Sequence, residues 1–244
     1  MKRIGVMGCG RIGGPVIHAI QAGEVGDTSL VAVLARQERS LGNIEASTDP
    51  ENFFNHEFDL IIDTATPEGF RLHAIQALQT ADVWTVNGGA LADNELFQAL
   101  EQTGREQGHR LRILSGAIVG LDGVSSLSVD EEANITAEVC VAPSESGRKV
   151  LFTGSARDAA RQFPESVNVA VATGLAGTGL DRTQVEVVQP GLDEPRQLGL
   201  SGQSKFGQIN VTSAPIVRPD KGIHMVAACI IAVLRNEEQI IWVG

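Results

Sequence analysis

The sequence contains no tyrosine, and its aromatic share is only 4% of 244 residues. That scarcity argues against an aromatic-rich β-sandwich or a lectin-like stacking surface. Cysteine is scarce as well. Cys9, Cys140 and Cys229 are odd in number, far apart, and in no CxxC or Cys/His spacing. The expectation is three buried, reduced thiols, with neither a disulfide framework nor a zinc site. Basic residues are in deficit: 19 Lys and Arg stand against 30 Asp and Glu, a net charge of −11. A nucleic-acid binder normally carries a basic stripe, so no nucleic-acid partner is expected. Long apolar runs are missing too. The longest late one, 225–234, is too short to cross a bilayer. The opening Met1-Lys2-Arg3 leads into an apolar stretch interrupted by Gly5, Gly8 and Gly10, which does not suit a signal peptide. There is no internal repeat and no low-complexity linker. These absences point to a soluble, cytoplasmic protein with no membrane partner.

Glycine, by contrast, is abundant, with 27 residues, which suits tight turns between strands and helices. Apolar runs at 3–7, 30–34, 59–63, 83–86 and 111–114 read as buried strands. Helical periodicity fills the spaces between them, at 11–22, 68–79 and 91–107. In 68–79 the expected apolar face is Phe70, Leu72, Ile75 and Leu78. Strands alternating with helices imply βαβ units and a parallel sheet. After about residue 117 the pattern changes. Ile135, Ala137, Val139 and Val141 alternate with polar residues, as in a strand buried on one face. Further strands are expected at 150–152, 184–188, 198–200 and 206–211, and helices at 155–163 and 167–176. A long apolar helix over 222–235 and a short strand over 240–243 close the sequence. The fold class is therefore α/β: a dinucleotide-binding domain of the Rossmann type over 1–117, and an α+β domain over 118–217. The tail 218–244 is expected to pack back on the first domain.

Gly8-Cys9-Gly10-Arg11-Ile12-Gly13 fits G-x-G-x-x-G. It follows a strand and opens a helix, the context in which that pattern binds a dinucleotide. Gly8 permits the tight turn, Gly10 lets backbone approach a pyrophosphate, and Gly13 lets helix and strand sit close. The helix start offers free N–H groups to the phosphates. The second strand ends in Ala35 and Arg36, where a carboxylate would hold the ribose hydroxyls of NAD. A guanidinium there attracts a 2′-phosphate, which favours NADP, with NAD still open. Arg36 stacking on the adenine or lying in solvent is the alternative, and Arg39 is a possible second contact.

The chain resembles the L-aspartate dehydrogenase family from the glycine turn to about Gly207. The resemblance rests on Ser115-Gly116-Ala117-Ile118-Val119-Gly120-Leu121-Asp122, on Leu151-Phe152-Thr153-Gly154-Ser155-Ala156, and on Phe163-Pro164-Glu165-Ser166-Val167-Asn168-Val169-Ala170. Leu175-Ala176-Gly177-Thr178-Gly179 and Asp181-Arg182-Thr183-Gln184-Val185 continue it. Val86-Asn87-Gly88-Gly89-Ala90-Leu91 matches more loosely. The resemblance implies a Rossmann domain, an α+β domain that binds substrate and forms a homodimer, and NAD(P)-dependent interconversion of aspartate and oxaloacetate. It also implies cofactor contacts at Ala117 and Asn168, the latter at the start of a helix opened by Pro164.

Two departures from the family pattern stand out. The family's catalytic His falls here on Leu198, or with a small shift on Arg196 or Gln197. Its Asn-Pro-Lys-Thr-Ser turn is here Arg218-Pro219-Asp220-Lys221-Gly222. Candidate replacements are His224, Asp122 as an acid/base group that also reads as a helix cap, and Lys221 for a substrate carboxylate. Lys205 is a candidate for a substrate carboxylate. Three functions stay open: a dehydrogenase of a small amino acid, oxo acid or imine with an altered substrate, an aspartate dehydrogenase with a rebuilt proton shuttle, and a non-catalytic NADP-binding regulator.

Overall fold

The apolar runs of the N-terminal half assemble into one parallel sheet. In this computed structural model, which describes residues 1–216 and 222–241, the chain divides into two units. The first comprises Met1–Asn87, Asp93–Leu114 and the described residues of Pro219–Gly244. The second comprises Gly88–Ala92 and the described residues of Ser115–Arg218.

In the first unit the elements follow as β1 (Lys2–Met7), α1 (Gly13–Gln21), β2 (Thr28–Leu34), β3 (Arg39–Leu41), β4 (Ile44–Ala46) and α2 (Pro50–Phe54). Then come β5 (Leu60–Asp63), α3 (Pro67–Thr80), β6 (Asp82–Thr85), α4 (Asn94–Gln107) and β7 (Leu111–Ile113). The sheet order is β2-β1-β5-β6-β7, with every pairing parallel. Its strands are unbroken apolar runs because both faces are covered, and Ile4, Val6, Leu60, Ile61, Ile62 and Val83 are fully buried. The chain builds outward from β1 to β2, then returns to build from β5. The sheet therefore has a topological switch point between β1 and β5.

Three details depart from the sequence reading. Helix α3 buries Phe70, Ala74, Ala77 and Leu78, while Leu72 is 76% exposed and Ile75 also faces outward. Small alanines line the buried stripe, and the larger residues fall off it. The helix expected from residue 91 begins at Asn94. Gly88–Ala92 forms a 3₁₀ turn, and the Asp93 side chain caps the helix by accepting from the Glu95 and Leu96 N–H groups at 3.0 and 3.2 Å. The β3–β4 hairpin and α2 were not anticipated. The hairpin is tied to α1 by Gln21, whose Nε2 donates to Leu41 O and Asn43 Oδ1, both at 2.7 Å.

The second unit contains α5 (Leu121–Leu127), β8 (Asn134–Cys140), β9 (Lys149–Ser155), α6 (Ala156–Gln162), α7 (Asn168–Ala176), β10 (Gln184–Gln189), β11 (Leu198–Ser204) and β12 (Gly207–Ser213). Its sheet order is β12-β11-β8-β10-β9, with β8 and β10 parallel and the other pairs antiparallel. Strand β8 alternates as its sequence implies over its first part, with Ile135, Ala137 and Val139 buried and Thr136 and Glu138 not, but its end departs: Cys140 is buried, and Val141 lies past the strand, half-buried. The buried side packs against α5, α6 and α7. The other face is polar, with Thr136, Glu138, Ser201, Asn210 and Thr212. Asn168 is the first residue of α7, but Pro164 does not open the helix. It lies in a preceding turn, and Val167 is the N-cap.

The last helix, α8 (Met225–Glu237), belongs to the first unit. Its Ala227, Ile230, Ile231 and Leu234 join Val16, Ile17 and Ile20 of α1 in one buried cluster. The strand expected over 240–243 is not there in its described part: Ile240 and Ile241 lie in a bend, almost fully exposed. Residues 242 and 243 lie outside the described residues. No helix among the described residues is long and apolar enough to cross a membrane.

Candidate functional site

The glycine turn leaves β1 at the switch point. Gly8 has φ +91°, and a Cβ there would lie 2.7 Å from Ala65 N and Thr64 O. A Cβ on Gly13 would overlap the Gly8 carbonyl oxygen and Thr64 Oγ1. Thr64 Oγ1 closes the turn by donating to Gly8 O at 2.9 Å and Met7 O at 3.1 Å. At Gly10 no heavy atom lies within 4 Å of the Cβ position, so a ligand can approach the backbone there. The N-cap of α1, Ile12, offers no capping side chain, and no acidic residue occupies the first turn. No side chain thus competes with an anion at the helix start, although the Gly14 N–H already donates to Gly10 O at 2.8 Å. Gly8, Gly10 and Gly13 therefore fit the dinucleotide that the motif implies, with Arg11 exposed and Ile12 half-buried beside them.

Ala35, at the end of β2, donates its N–H to Ser47 O at 2.9 Å. Arg36 beside it is exposed and makes no ion pair among the described residues. The β3–β4 hairpin brings Arg39, Leu41 and Gly42 to a cleft of about 560 Å³ that Cys9, Gly10, Arg11 and His18 also line. Cys9 and Cys229 are half-buried, and only Cys140 is buried as expected.

A network that the sequence did not reveal lies beside the turn. Asp63, the last residue of β5, is fully buried. Its Oδ2 accepts from Thr85 Oγ1 at 2.6 Å and Asn87 Nδ2 at 2.8 Å, and its Oδ1 accepts from Ala65 N at 3.1 Å. Burial pushes its pKa up to about 6, against the opposing pull of those hydrogen bonds. In the sequence Asp63 reads only as the end of an apolar run, and Asn87 as a turn residue.

The second unit holds Ala117 and Asn168. Ala117 O accepts from Ser213 Oγ at 2.6 Å. Asn168 Oδ1 accepts from Gly89 N at 2.8 Å, so the orientation of its amide is set and its NH₂ group faces elsewhere. Asp122 does not cap α5: Gly120 is the N-cap, and Asp122 sits exposed in the first turn. The positions matching the family histidine carry other contacts. Arg196 Nη2 donates to Cys140 O at 2.9 Å, Gln197 O accepts from Cys140 Sγ at 2.8 Å, and Leu198 packs against the cluster around Ile118 and Val124. Lys205 is engaged by Asp130 at 3.4 Å.

His224, in the first unit, is the N-cap of α8. Its Nδ1 accepts from Val226 N at 3.2 Å. Burial, and then the positive charge of Arg11, hold its pKa below the usual imidazole value. It is therefore neutral at pH 7, with Nε2–H as a donor. Lys221 lies outside the described residues.

Known proteins share parts of this sequence and its fold. Residues 8–114 match the family described as "Homoserine dehydrogenase, NAD binding domain", and residues 122–237 match "Aspartate dehydrogenase, C-terminal". An L-aspartate dehydrogenase of Methanococcoides burtonii is 30% identical, with 100% of each chain covered. One from Methanosarcina acetivorans is 35% identical over 77% of this chain and 78% of its own. Among solved structures, aspartate dehydrogenase from Thermotoga maritima shares the fold with a TM-score of 0.81 at 21% identity, covering 100% of both chains. A hyperthermophilic archaeal homoserine dehydrogenase in complex with NADPH has a TM-score of 0.57 at 10% identity, covering 95% of both chains.

Proposed function

This chain belongs to the L-aspartate dehydrogenase family, and on that premise we propose that it is an NADP-preferring dehydrogenase of a small amino acid, oxo acid or imine, altered in substrate from an aspartate oxidiser. Its broader character, an aspartate dehydrogenase-like NAD(P)-dependent oxidoreductase, follows from that membership. The observation that carries the proposal is an intact glycine turn in a chain that has Leu198, or with a small shift Arg196 or Gln197, where the resemblance puts the family histidine. A leucine neither moves a proton nor binds a carboxylate.

When bound, the nicotinamide supplies or accepts the hydride. The chain's own part is to bind and orient. The backbone at Gly10 and the first turn of α1 receive the pyrophosphate, and Arg36 receives the 2′-phosphate. The resemblance implies contacts to the nicotinamide from Asn168, whose NH₂ group is an amide donor with its Oδ1 held by Gly89 N, and from Ala117, whose side chain is small. Among the candidate replacements His224, Lys221 and Asp122, His224 is the one with a shielded imidazole and an Nε2–H donor. That observation favours the second reading, an aspartate dehydrogenase with a rebuilt shuttle. For an imine, orientation is the larger demand, and water can supply the proton.

Two measurements test this. A charge-assisted hydrogen bond is worth about 1.5–3 kcal/mol, toward the lower end at an exposed, salt-screened site. Arg36→Ala should therefore weaken NADPH about tenfold and leave NADH nearly unchanged, while Ala35→Asp should reverse the preference. Equal affinity of the parent for both cofactors would refute the phosphate assignment. In turnover assays, oxo acids with ammonia and preformed imines should react, and L-aspartate with NADP should react little. Leu198→His alone should not restore it, because the turn at 218–222 differs as well. Robust aspartate oxidation by the parent would overturn the altered pocket, and binding without any turnover would mark a regulator.

A further inference from the structure

Asp63, Thr85 and Asn87 form a directional chain. The Asn87 N–H donates to Thr85 Oγ1 at 2.9 Å, and the Thr85 hydroxyl donates to Asp63 Oδ2 at 2.6 Å. Both hydrogens of the Asn87 amide are used, on Asp63 Oδ2 at 2.8 Å and Ala65 O at 3.1 Å. If the amide were flipped, its oxygen would face two acceptors and no donor. The carboxylate therefore enforces one orientation. Asn87 is only 4% exposed, yet its Oδ1 has no partner among the described residues and is not sealed from solvent. The amide carbonyl is thus an oriented acceptor with accessible surface, just beyond the end of β6.

We propose that Asp63 is a positioning residue that holds the Asn87 carbonyl oxygen ready to accept a hydrogen bond from a ribose hydroxyl on the nicotinamide side of the cofactor. The inference rests on the dinucleotide reading above and adds a contact to it. An acceptor oxygen repels phosphate, so the pyrophosphate is not its ligand. It needs a donor, and a sugar hydroxyl is one. The side of the cofactor follows from topology. The two halves of such a sheet each bind one mononucleotide, across the switch point. The glycine turn and β2 serve the adenine half, and β5 and β6 serve the other. A threonine or serine at position 63 would link the strands without burying a charge. Fixing a neighbouring amide is a role that a carboxylate, which only accepts, performs and a hydroxyl does not.

The test uses NADPH, followed by its fluorescence, and adenosine 2′,5′-bisphosphate as a competing fragment that lacks the nicotinamide nucleotide. Asp63→Asn keeps the shape of the side chain but puts an NH₂ group against a donor, and Asn87→Ala removes the acceptor. Each should weaken NADPH about three- to tenfold and leave the bisphosphate unchanged. Because Asp63 acts through Asn87, adding Asp63→Asn to Asn87→Ala should cause no further loss. A parallel loss of bisphosphate binding would mean a merely structural role at the turn and would overturn the inference. Additive losses, or unchanged NADPH affinity in Asn87→Ala, would do the same. If Asp63→Asn does not fold, Asn87→Ala with the two ligands decides alone. A parent that binds neither ligand would bring down the dinucleotide reading itself, a result distinct from all of these.

Discussion

Two carboxyl groups of the first unit lie at opposite extremes. Arg3, through side-chain and backbone hydrogen bonds, pulls Asp59 down to about 2. Burial pushes Asp63 up to about 6. They therefore govern separate pH windows. A carboxyl whose folded pKa exceeds its unfolded value binds its proton more tightly in the native state. The stability it lends is fully present below about pH 4 and is lost as pH rises through 6. The shift corresponds to about 3 kcal/mol. For Asp59 the sign is opposite: its contribution is present above about pH 4 and is lost as pH falls toward 2. Urea unfolding of the parent and Asp63→Asn, measured from pH 7 to pH 4, should show the parent gaining stability relative to the variant, most of it near pH 6 and below. Parallel curves would mean that Asp63 titrates normally and is not desolvated. At neutral pH the native state thus tolerates an unfavourable buried charge, which fits a residue kept for a site more than for stability.

At the scale of elements, the strands of the first sheet were legible because burial on both faces makes them continuous apolar runs. Helix α1 and its glycine turn were legible because the motif is local: three glycines and a following helix are consecutive in the chain. The β3–β4 hairpin and α2 were not. Their sequences are too short for a periodicity to show, and they are held by Gln21 and by aromatic contacts that exist only after folding. The Asp63 network escaped for the same reason, since Asp63 lies 22 and 24 residues before Thr85 and Asn87. Its parts are an acid ending an apolar run, a threonine in a strand and an asparagine in a turn, each unremarkable alone. Gly5 shows how a missed element constrains a legible one. Phe53 of α2 and Phe58 close over β1, and a Cβ on Gly5 would lie 2.7 Å from Phe58 Cε1 and 3.0 Å from Phe53 Cζ. Alanine favours a strand over glycine by about 0.5–1 kcal/mol, whereas overpacking costs about 1–3 kcal/mol. Gly5→Ala should therefore lower the melting temperature, by about 2–4 °C for each kcal/mol lost. An unchanged or raised melting temperature would show that the rings move aside freely.

At the scale of the whole molecule, the open question is assembly. The second unit has about a hundred residues, a size at which a domain buries a smaller fraction of its surface than a larger one does. The face of its sheet away from α5, α6 and α7 is polar. It carries Thr136, Glu138, Ser201, Asn210 and Thr212, with Glu138 bound to Arg148 at 2.9 Å. Its outer strand β9 is different: Val150 is 50% and Leu151 38% exposed, on a strand paired along one side with β10. An edge strand with exposed apolar residues is a template for pairing with another chain, and two-fold dimers are the commonest closed assemblies. We expect a homodimer formed through this unit, as the family resemblance also implies. Light scattering at micromolar concentration should give a particle of twice the 25.8 kDa chain, and a particle of the single-chain mass would refute the dimer. Val150→Lys with Leu151→Lys places two charges on the edge. If β9 is the contact, this variant should dissociate while keeping its far-ultraviolet circular dichroism and its NADPH affinity. A variant that remains dimeric would move the interface away from β9, to the polar face or to the other edge at β12.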